Sequence, residues 1–465
     1  MTPRDVDALL DAPLAVIAAE VGGRPDVAAD LATAALERIR ARDGVINAVV
    51  ATVDRPLIGT GNGPLSGVPY LLKDLQADAA DLPLRRGSRS HAAVAPTSDS
   101  TLVARLRSAG ATIIGRTNSP EFGLGITTEP LLHGATANPW NTARSAGGSS
   151  GGAAAAVAAG MVPAAHATDS GGSIRIPAAW CGVVGFKPSR GMLPAGPLRL
   201  DDWFGLSHEH AITRTVADTK LILDATSGRA AGEWNPLPAQ RPVPERLRIG
   251  LLVNAPGGLP VAPDWVRAAR SAAAVLSDAG HNIVELPPVQ EALEIGPLFG
   301  AVAGTHLAQL LTRDGLDSSA LEPAVAEVVE RGRRMSALEL VRVAHELHAL
   351  SFTLADHFAS VDLVLSPTTA QPAPELGSVT TARPASALFA DIFGLSPFVA
   401  MFNVTGGAAI SVPWGLDSLG MPLGVHLGGA MGDDALVVRA AEILETARPD
   451  LTGLVRPGTT GATPA

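Results

Sequence analysis

The chain has 465 residues and carries 45 acidic against 35 basic side chains, a formal net charge of −10. Hydrophobic residues make up 46% of it, enough apolar material for a large buried core, which excludes global disorder. The acidic balance and an aromatic content of 4% argue against a basic, base-stacking groove, so we expect no nucleic-acid partner. The single cysteine, Cys181, excludes an internal disulfide framework and a cysteine-based metal cluster.

The N-terminal residues 1–12 do not resemble a secretion signal. They contain three aspartates where a signal peptide carries a basic and then an apolar run. The most apolar stretch, residues 153–165, is shorter than a bilayer span requires. We therefore expect a cytoplasmic protein with no membrane partner.

Helical periods and short apolar runs alternate along the chain. The predicted helices cover residues 4–20, 25–42, 99–109, 152–160, 264–279 and 337–359. The predicted strand-like runs cover residues 46–53, 67–72, 111–115, 283–286 and 363–365. This alternation favours an α/β fold. No linker is long enough to divide the chain with confidence, because the Pro-rich segment 230–245 could join two lobes of one fold, so we expect a single domain over 1–465.

Lysine is rare in this sequence, since only three of the 35 basic residues are lysines: Lys73, Lys187 and Lys220. Arginine stays protonated under ordinary conditions, whereas a desolvated lysine can lose its proton. Lys73 ends an apolar run, so burial would lower its pKa and make a neutral amine available. A surface lysine, or an ion pair with Asp74, is the alternative at this position, and Lys187 and Lys220 are expected to have structural roles.

Two glycine-dense loops each hold a serine, Ser149 within residues 147–152 and Ser173 within residues 168–175. Glycine lets the backbone approach a ligand closely, so that successive N–H groups converge on an anion. A hydroxyl in such a nest suits acyl transfer, but a serine nucleophile needs a base. His166, the histidine nearest to Ser173 in sequence, lies in an apolar stretch and is expected to have a packing role. Lys73 is the better candidate base.

Residues 147–191 resemble the signature segment of the amidase signature family of serine hydrolases. Further segments similar to that family are 67–74, 116–123, 138–141, 362–367 and 403–413. The resemblance implies an α/β amidase signature fold, with a large mixed β-sheet covered by helices on both faces. It also implies a core signature region over residues 67–200 and a variable substrate-cleft region at about 230–400.

The resemblance further implies a Ser–Ser–Lys triad. Ser173 matches the nucleophile, Ser149 matches the relay serine that follows a cis peptide bond, and Lys73 matches the base. The implied oxyanion hole consists of the backbone N–H groups of Ser170, Gly171, Gly172 and Ser173. No metal or organic cofactor is implied.

Supporting roles follow from the same resemblance. Asp169 and Arg175 are expected to pair and shape the oxyanion loop. Ser150 is either a helix N-cap or a neighbour of the triad, and both alternatives stay open. Gly123 matches a position that offers a carbonyl to the substrate, and Ser149 and Ser170 are also expected to contact it.

The branch of the family is indicated by several positions. Ile176 follows Arg175, whereas glutamine-dependent transamidation subunits usually carry glutamine at that position. Those subunits also have a tyrosine-rich downstream segment, whereas Tyr70 is the only tyrosine here. Both features argue against a transamidation subunit. Residues 205–225 are similar to the branch of 6-aminohexanoate cyclic-dimer hydrolases and broad-specificity amidases. This implies activity on linear, cyclic or aryl amides, with esters and carbamates as further candidate substrates.

Aromatic residues in the second half of the chain are candidates for an apolar substrate pocket. They are Trp203, Phe204, Trp234, Phe299, Phe389, Phe393 and Phe398. The expected partner is a small amide substrate, and the expected assembly is a monomer or a homodimer. An obligate subunit of a larger amidotransferase-like complex, or a non-catalytic scaffold, is the alternative; all three triad residues are present, which argues against a scaffold.

Overall fold

A computed structural model of the chain describes residues 3–57, 62–91, 94–196, 203–232 and 236–448. The α-helices in these ranges are α1 (Pro3–Leu9), α2 (Leu14–Val21), α3 (Pro25–Arg42), α4 (Thr101–Ser108), α5 (Gly151–Ala158), α6 (Arg175–Cys181), α7 (Val216–Thr226), α8 (Pro263–Asp278), α9 (Ile295–Asp314), α10 (Pro323–Arg334), α11 (Ala337–Phe358), α12 (Ala385–Leu395), α13 (Met401–Val404) and α14 (Asp434–Ala447). The strands are β1 (Val49–Leu57), β2 (Pro69–Lys73), β3 (Thr112–Thr117), β4 (Ala137–Asn138), β5 (Asn141–Ser145), β6 (Ala164–Asp169), β7 (Val184–Lys187), β8 (His208–Thr213), β9 (Arg248–Leu251), β10 (Asn282–Glu285), β11 (Leu363–Pro367), β12 (Ala409–Leu416) and β13 (Pro422–Gly429).

The predicted helices and strands match this order closely. The helix expected over 25–42 is α3; the one expected over 264–279 is α8, displaced by one residue, and the one expected over 337–359 is α11, which ends one residue earlier. The helix expected over 4–20 is wrong as a single element, because α1 and α2 are separated before Pro13. Proline disfavours helical backbone at the residue before it and has no N–H to donate, so the chain turns there.

Eleven of the described strands form one mixed sheet in the order β1-β3-β2-β6-β8-β7-β12-β13-β11-β9-β10. The pairs β2–β3, β2–β6, β9–β10 and β9–β11 are parallel, and the other neighbours are antiparallel. Helices flank this sheet, so the expected α/β class with a large mixed sheet is confirmed.

The parallel neighbours β2 and β6 determine where the candidate site lies. Their register pairs Tyr70 with Ala164 and Leu71 with Ala165, so their carboxyl ends meet at one edge of the sheet. Ligands in α/β sheets bind beyond the carboxyl ends of the strands. Lys73 is the last residue of β2, and the glycine-rich loop 170–173 follows the end of β6.

The helix α5 brings the first serine loop to the same edge. All eight of its residues are buried, and seven of them are glycine or alanine. Such small side chains let the helix pack closely against β6 and α6 inside the core. The N-terminus of α5 therefore holds the preceding Ser149 and Ser150 against the end of β6.

None of the helices in the described part of the chain is both long and apolar enough to cross a bilayer. The longest are α9 and α11, which pack over an apolar cluster on one side of the molecule. Helix α9 crosses α10 at close range because Gly304 and Gly332 face each other at the contact. A Cβ at position 332 would lie 2.0 Å from the backbone oxygen of Gly304.

We expect Gly332→Ala to force α9 and α10 apart, because the added methyl group would meet backbone and not a movable side chain. Overpacking of this kind costs about 1–3 kcal/mol of unfolding free energy. Urea unfolding of the purified variant measures the loss. Gly394→Ala in α12 is the matched control, because its Cβ meets no atom within 4 Å. It should be neutral or stabilising by up to about 1 kcal/mol; equal behaviour of the two variants would contradict the packing argument.

Candidate active site

Lys73 is fully buried, and its amine lies among hydroxyl groups. Its Nζ is 2.7 Å from Ser149 Oγ, 2.9 Å from Ser150 Oγ and 2.8 Å from Thr168 Oγ1. The Asp74 carboxylate instead accepts the backbone N–H groups of Arg85 and Gly87 at 2.8 and 2.9 Å. Both alternatives for Lys73, an exposed side chain and an ion pair with Asp74, are therefore wrong.

Burial decides the charge of this amine. Desolvation lowers the pKa of Lys73 well below its ordinary value of about 10.4, since the ammonium form loses its hydration. The negative charges of Asp169 and Glu209 act in the opposite direction but are the smaller influence. A neutral amine can accept a proton from a hydroxyl, which an ammonium group cannot do.

The serine loop 147–152 reaches the amine through two consecutive residues. The peptide bond between Gly148 and Ser149 is cis, as the family resemblance implies. Ser150 occupies the N-cap position of α5, but its side chain makes no capping hydrogen bond. Its Oγ contacts Lys73 and donates to the Thr168 carbonyl oxygen at 3.1 Å. Of the two alternatives for Ser150, the structure therefore supports a neighbour of the lysine over a side-chain cap.

The glycine-rich loop after β6 is organised by the carboxylate of Asp169. Asp169 Oδ1 accepts the N–H of Gly172 at 2.7 Å, and Oδ2 accepts the N–H of Ile174 at 3.1 Å. Gly172, which was predicted to donate to an oxyanion, therefore has its N–H engaged by Asp169 in this structure. The N–H groups of Ser170, Gly171 and Ser173 have no acceptor within the ranges that the structure describes.

Asp169 is itself held by Arg175, and both side chains are fully buried. Arg175 Nε donates to Asp169 Oδ2 and Nη2 donates to Oδ1, each at 2.9 Å, which gives the predicted ion pair in bidentate form. Asn403 completes the group: its Nδ2 donates to Asp169 Oδ1 at 2.9 Å, and its Oδ1 accepts from Arg175 at 2.7 Å. Although burial alone would raise the pKa of Asp169, the charge and hydrogen bonds of Arg175 hold it well below its usual range.

A cavity of about 440 Å³ opens in front of these loops. Ser149, Ser170, Ser173 and Gly123 all line it, together with the apolar side chains of Phe122, Trp203, Phe299, Leu307 and Leu310. The structure therefore brings both predicted loop serines and Gly123 to one solvent-connected space beside the buried Lys73.

Gly123 lines this cavity with a left-handed backbone, φ +75°. A Cβ there would lie 2.6 Å from Leu75 Cδ2 and 3.5 Å from Ser149 Oγ, so the backbone runs close to the serine. The carbonyl of Gly123 accepts the N–H of Gly125 at 3.2 Å. A carbonyl oxygen has a second lone pair, which leaves one acceptor position for a substrate N–H.

The seven aromatic candidates for the pocket separate into distinct groups. Trp203 and Phe299 line the cavity, with ring centroids 5.2 Å apart. Phe389 and Phe393 line a different apolar cavity of about 560 Å³. Phe398 is buried in the core, Phe204 is 47% exposed, and neither lines the first cavity. Trp234 lies outside the described residues.

Two histidines, His91 and His306, also line the first cavity. The ring of His306 packs against Trp203 at a centroid distance of 5.6 Å. Within the described ranges, no group of three or more His, Cys, Asp or Glu side chains is arranged to hold a metal ion. The chemically distinctive cluster beside the cavity is therefore the lysine with its hydroxyl partners.

Three residues of the site were missed from the sequence. Thr168 contacts Lys73 although it was quoted only as part of its loop, and Asn403 lies in a segment noted only for its family resemblance. His166 was expected to pack, and it is buried, but it also accepts a hydrogen bond from the backbone N–H of Lys73 at 3.3 Å. The expected burial of His166 is confirmed, and the hydrogen bond to Lys73 adds a second role. Its polar neighbours belong to other strands, so its local apolar sequence gave no signal.

Comparison with known proteins gives this site its class. The sequence profile of the Amidase family matches residues 34–438. The 6-aminohexanoate-cyclic-dimer hydrolase of Paenarthrobacter ureafaciens is 36% identical over 454 residues, covering 90% of this chain and 91% of that protein. The structure of a 6-aminohexanoate cyclic dimer hydrolase with bound substrate superposes with a TM-score of 0.89 at 32% identity, over 97% of this chain and 99% of that one. A bacterial aryl acylamidase gives 0.81 at 26% identity, over 97% and 99%.

The protein is thus a hydrolase that acts on carbon–nitrogen bonds, an amidase. More particularly, it belongs to the amidase signature family, as the motifs in 147–191 imply.

We expect Asp169→Asn to destabilise the fold by about 3–5 kcal/mol at pH 7, because it leaves Arg175 buried without its charge partner. The depressed pKa of Asp169 gives stability that is present above the unfolded pKa of about 3.9 and is lost as the pH falls below it. The variant should therefore lose less stability than the wild type on acidification below about pH 4. Urea unfolding at several pH values measures both effects.

Asp224→Asn is the matched control, because Asp224 pairs with Lys220 on the surface, where both side chains are more than half exposed. The control should change the unfolding free energy by less than about 1 kcal/mol. A similar small change in Asp169→Asn would show that the buried pair does not organise the loop.

Proposed function

We propose that this amidase hydrolyses carboxamides through a covalent acyl-enzyme on Ser173, with Ser149 as proton relay and Lys73 as general base. One observation carries the proposal. The buried Lys73 amine has hydroxyl groups and no carboxylate as hydrogen-bond partners in the described part of the chain, and two of the residues that supply them, Ser149 and Thr168, line the cavity with Ser173. Burial outweighs the nearby charges of Asp169 and Glu209, neither of which bonds to the amine, and so favours its neutral, basic form.

The hydrogen bonds around Lys73 favour one direction of proton transfer. Ser150 donates its hydroxyl proton to the Thr168 carbonyl, so Ser150 Oγ can only accept from the amine. A neutral amine has two N–H groups and one lone pair. If it donates to Ser150 and Thr168, the lone pair faces Ser149 Oγ at 2.7 Å. This arrangement suits proton abstraction from Ser149.

The reaction then follows from the positions of the two serines. Neutral Lys73 takes the hydroxyl proton of Ser149, which takes that of Ser173 as Ser173 Oγ forms a bond to the amide carbon. The developing oxyanion is held by the N–H groups of Ser170, Gly171 and Ser173, which have no acceptor among the described residues, whereas the N–H of Gly172 is bound to Asp169.

Collapse of the tetrahedral intermediate completes the first half of the reaction. Ser149 gives a proton to the leaving nitrogen, the C–N bond breaks, and Ser149 regains its proton from the Lys73 ammonium. Water, deprotonated through the same relay, attacks the ester of Ser173 and releases the carboxylic acid. Each half-reaction returns Lys73 to its neutral form.

The cavity supports substrates with apolar groups next to the scissile bond. Phe122, Trp203 and Phe299 line it, and its volume of about 440 Å³ admits a small organic amide. The relatives named above are described as acting on a cyclic dimer of 6-aminohexanoate and on aryl acylamides. We therefore propose a broad range that covers linear, cyclic and aryl amides, with esters and carbamates as side substrates.

Two further expectations accompany this function. A cytoplasmic location is supported by the sole cysteine, Cys181, which is free and buried. The assembly state, monomer or homodimer, remains a prediction from the sequence; size-exclusion chromatography with light scattering distinguishes the two.

We expect Ser173→Ala to lower kcat on a chromogenic anilide by about 10⁴-fold or more, because it removes the nucleophile.

Lys73→Met should lower kcat about 10²- to 10⁴-fold, with a residual rate that rises at alkaline pH as hydroxide replaces the base. In the wild type, activity should persist at pH 7 and fall as the pH drops through the lowered pKa of Lys73. Steady-state kinetics across pH measures all three.

Lys220→Met is the matched control, because it removes an exposed lysine far from the cluster in sequence and without contact to it. It should keep wild-type kinetics. Undiminished hydrolysis by Ser173→Ala, or equal effects of the substitutions at Lys73 and Lys220, would contradict the mechanism.

A further inference from the structure

The hydrogen-bond ladder between β2 and β6 changes at Lys73. The two strands pair at Tyr70 and Leu71, but the backbone N–H of Lys73 is taken by the imidazole of His166, whose Nδ1 accepts it at 3.3 Å. His166 is fully buried on β6. A side chain therefore fixes the backbone of the residue that carries the amine.

This hydrogen bond also decides the tautomer of His166. Because Nδ1 accepts, a neutral imidazole carries its proton on Nε2. Nε2 lies 3.1 Å from Glu209 Oε2, so it donates to that carboxylate. Glu209 lies on β8, opposite Thr168 in the strand register. The chain Lys73–His166–Glu209 thus links three neighbouring strands.

Strand β6 also contacts the side-chain amine of Lys73. Thr168 follows His166 by two residues and so points to the same face of β6. Its Oγ1 contacts Lys73 Nζ at 2.8 Å. Strand β6 therefore forms two hydrogen bonds with Lys73, one to its backbone through His166 and one to its amine through Thr168.

We propose that His166 and Glu209 are positioning residues for the amide hydrolysis proposed above: His166 sets the backbone of Lys73, and Glu209 fixes the imidazole and places a negative charge near the amine. This role rests on the proposed function of Lys73. Neither residue touches the substrate cavity, so each acts through the lysine.

The charges near this chain determine the sign of its effect on pH dependence. Two carboxylates, Asp169 and Glu209, act on the Lys73 amine, and both favour its ammonium form. Glu209 itself borders a small polar cavity, where the neighbouring charged or titratable side chains are Arg190, Arg229 and His208. Removal of the Glu209 charge should therefore lower the pKa of Lys73 further, since burial and Asp169 are unchanged.

The first test separates the two hydrogen bonds of the imidazole. His166→Ala should lower kcat about 10- to 100-fold with KM within threefold, because a displaced base slows chemistry without weakening binding. His166→Asn keeps an acceptor at the Nδ1 position and should recover kcat to within about fivefold of wild type. His166→Gln reaches toward Glu209 but leaves Nδ1 empty, so it should stay as slow as His166→Ala.

The second test uses the pH profile of kcat/KM. Glu209→Gln can still accept from His166 Nε2 through its amide oxygen, so kcat at the optimum should be close to wild type. The acid limb, where Lys73 becomes protonated, should move to lower pH. An acid limb that is unchanged or moves to higher pH would refute the charge role of Glu209.

His281→Ala is the matched control, because His281 is also buried and its Nδ1 also accepts a backbone N–H, that of Leu247 at 3.3 Å, away from Lys73. It should lose stability without changing kcat or the acid limb. If His166→Asn is as slow as His166→Ala while both are folded by circular dichroism, the positioning role fails. Should His166→Ala not fold, the comparison of Asn with Gln and the Glu209→Gln profile still decide. Failure of the proposed function itself shows separately, as full activity of Ser173→Ala.

Discussion

The candidate site depends on one constraint: the Lys73 amine is buried away from water and forms no hydrogen bond with a carboxylate. Lys73 ends a buried strand and meets three hydroxyl oxygens within 2.9 Å, so neither hydration nor a bonded carboxylate stabilises its ammonium form. An ammonium group there would carry a large desolvation cost, whereas a neutral amine can form hydrogen bonds with the three hydroxyl groups without that cost. Three features together hold hydroxyl groups around that nitrogen: the parallel ends of β2 and β6, the alanine-rich α5, and the hydrogen-bonded Ser150.

A group of buried charges lies next to the amine, and unlike the amine these charges are stabilised by direct ion pairing. Asp169 and Arg175 are paired, and Asn403 bonds to both of them, so neither charge is left without partners. The Asp169 carboxylate also binds Gly172 N–H, which fixes the loop, while the N–H groups on either side of Gly172 have no acceptor among the described residues. In the proposed mechanism the neutral amine supplies the base, and the compensated ion pair holds the donors that face the oxyanion.

Much of this arrangement could be predicted from the sequence because it depends on local features. The alternation of helical periods and apolar runs indicated the fold class. The glycine-rich loops and the run that ends at Lys73, together with the family resemblance, brought Lys73, Ser149 and Ser173 forward as candidates. What the sequence could not show depends on contacts between distant segments. Whether Gly172 has a free N–H depends on the direction of the Asp169 side chain, and the contacts of His166 depend on β2 and β8 lying beside β6. The same reason explains the aromatic residues, since only the packing of α9 against α12 places Phe299 in the first cavity and Phe389, whose ring contacts it, in the second.

The most direct measurement is of the charge on Lys73 itself, by nuclear magnetic resonance of protein labelled with ¹³C and ¹⁵N in its three lysines. Lys187→Met and Lys220→Met variants assign the signals, and the exposed Lys220, paired with Asp224, supplies the reference for an ammonium group. At pH 7 the side-chain signal of Lys73 should have the chemical shift of a neutral amine and change to that of an ammonium group only at lower pH. A Lys73 signal at the ammonium position at pH 7 would contradict the central claim, because a protonated lysine cannot take a proton from Ser149.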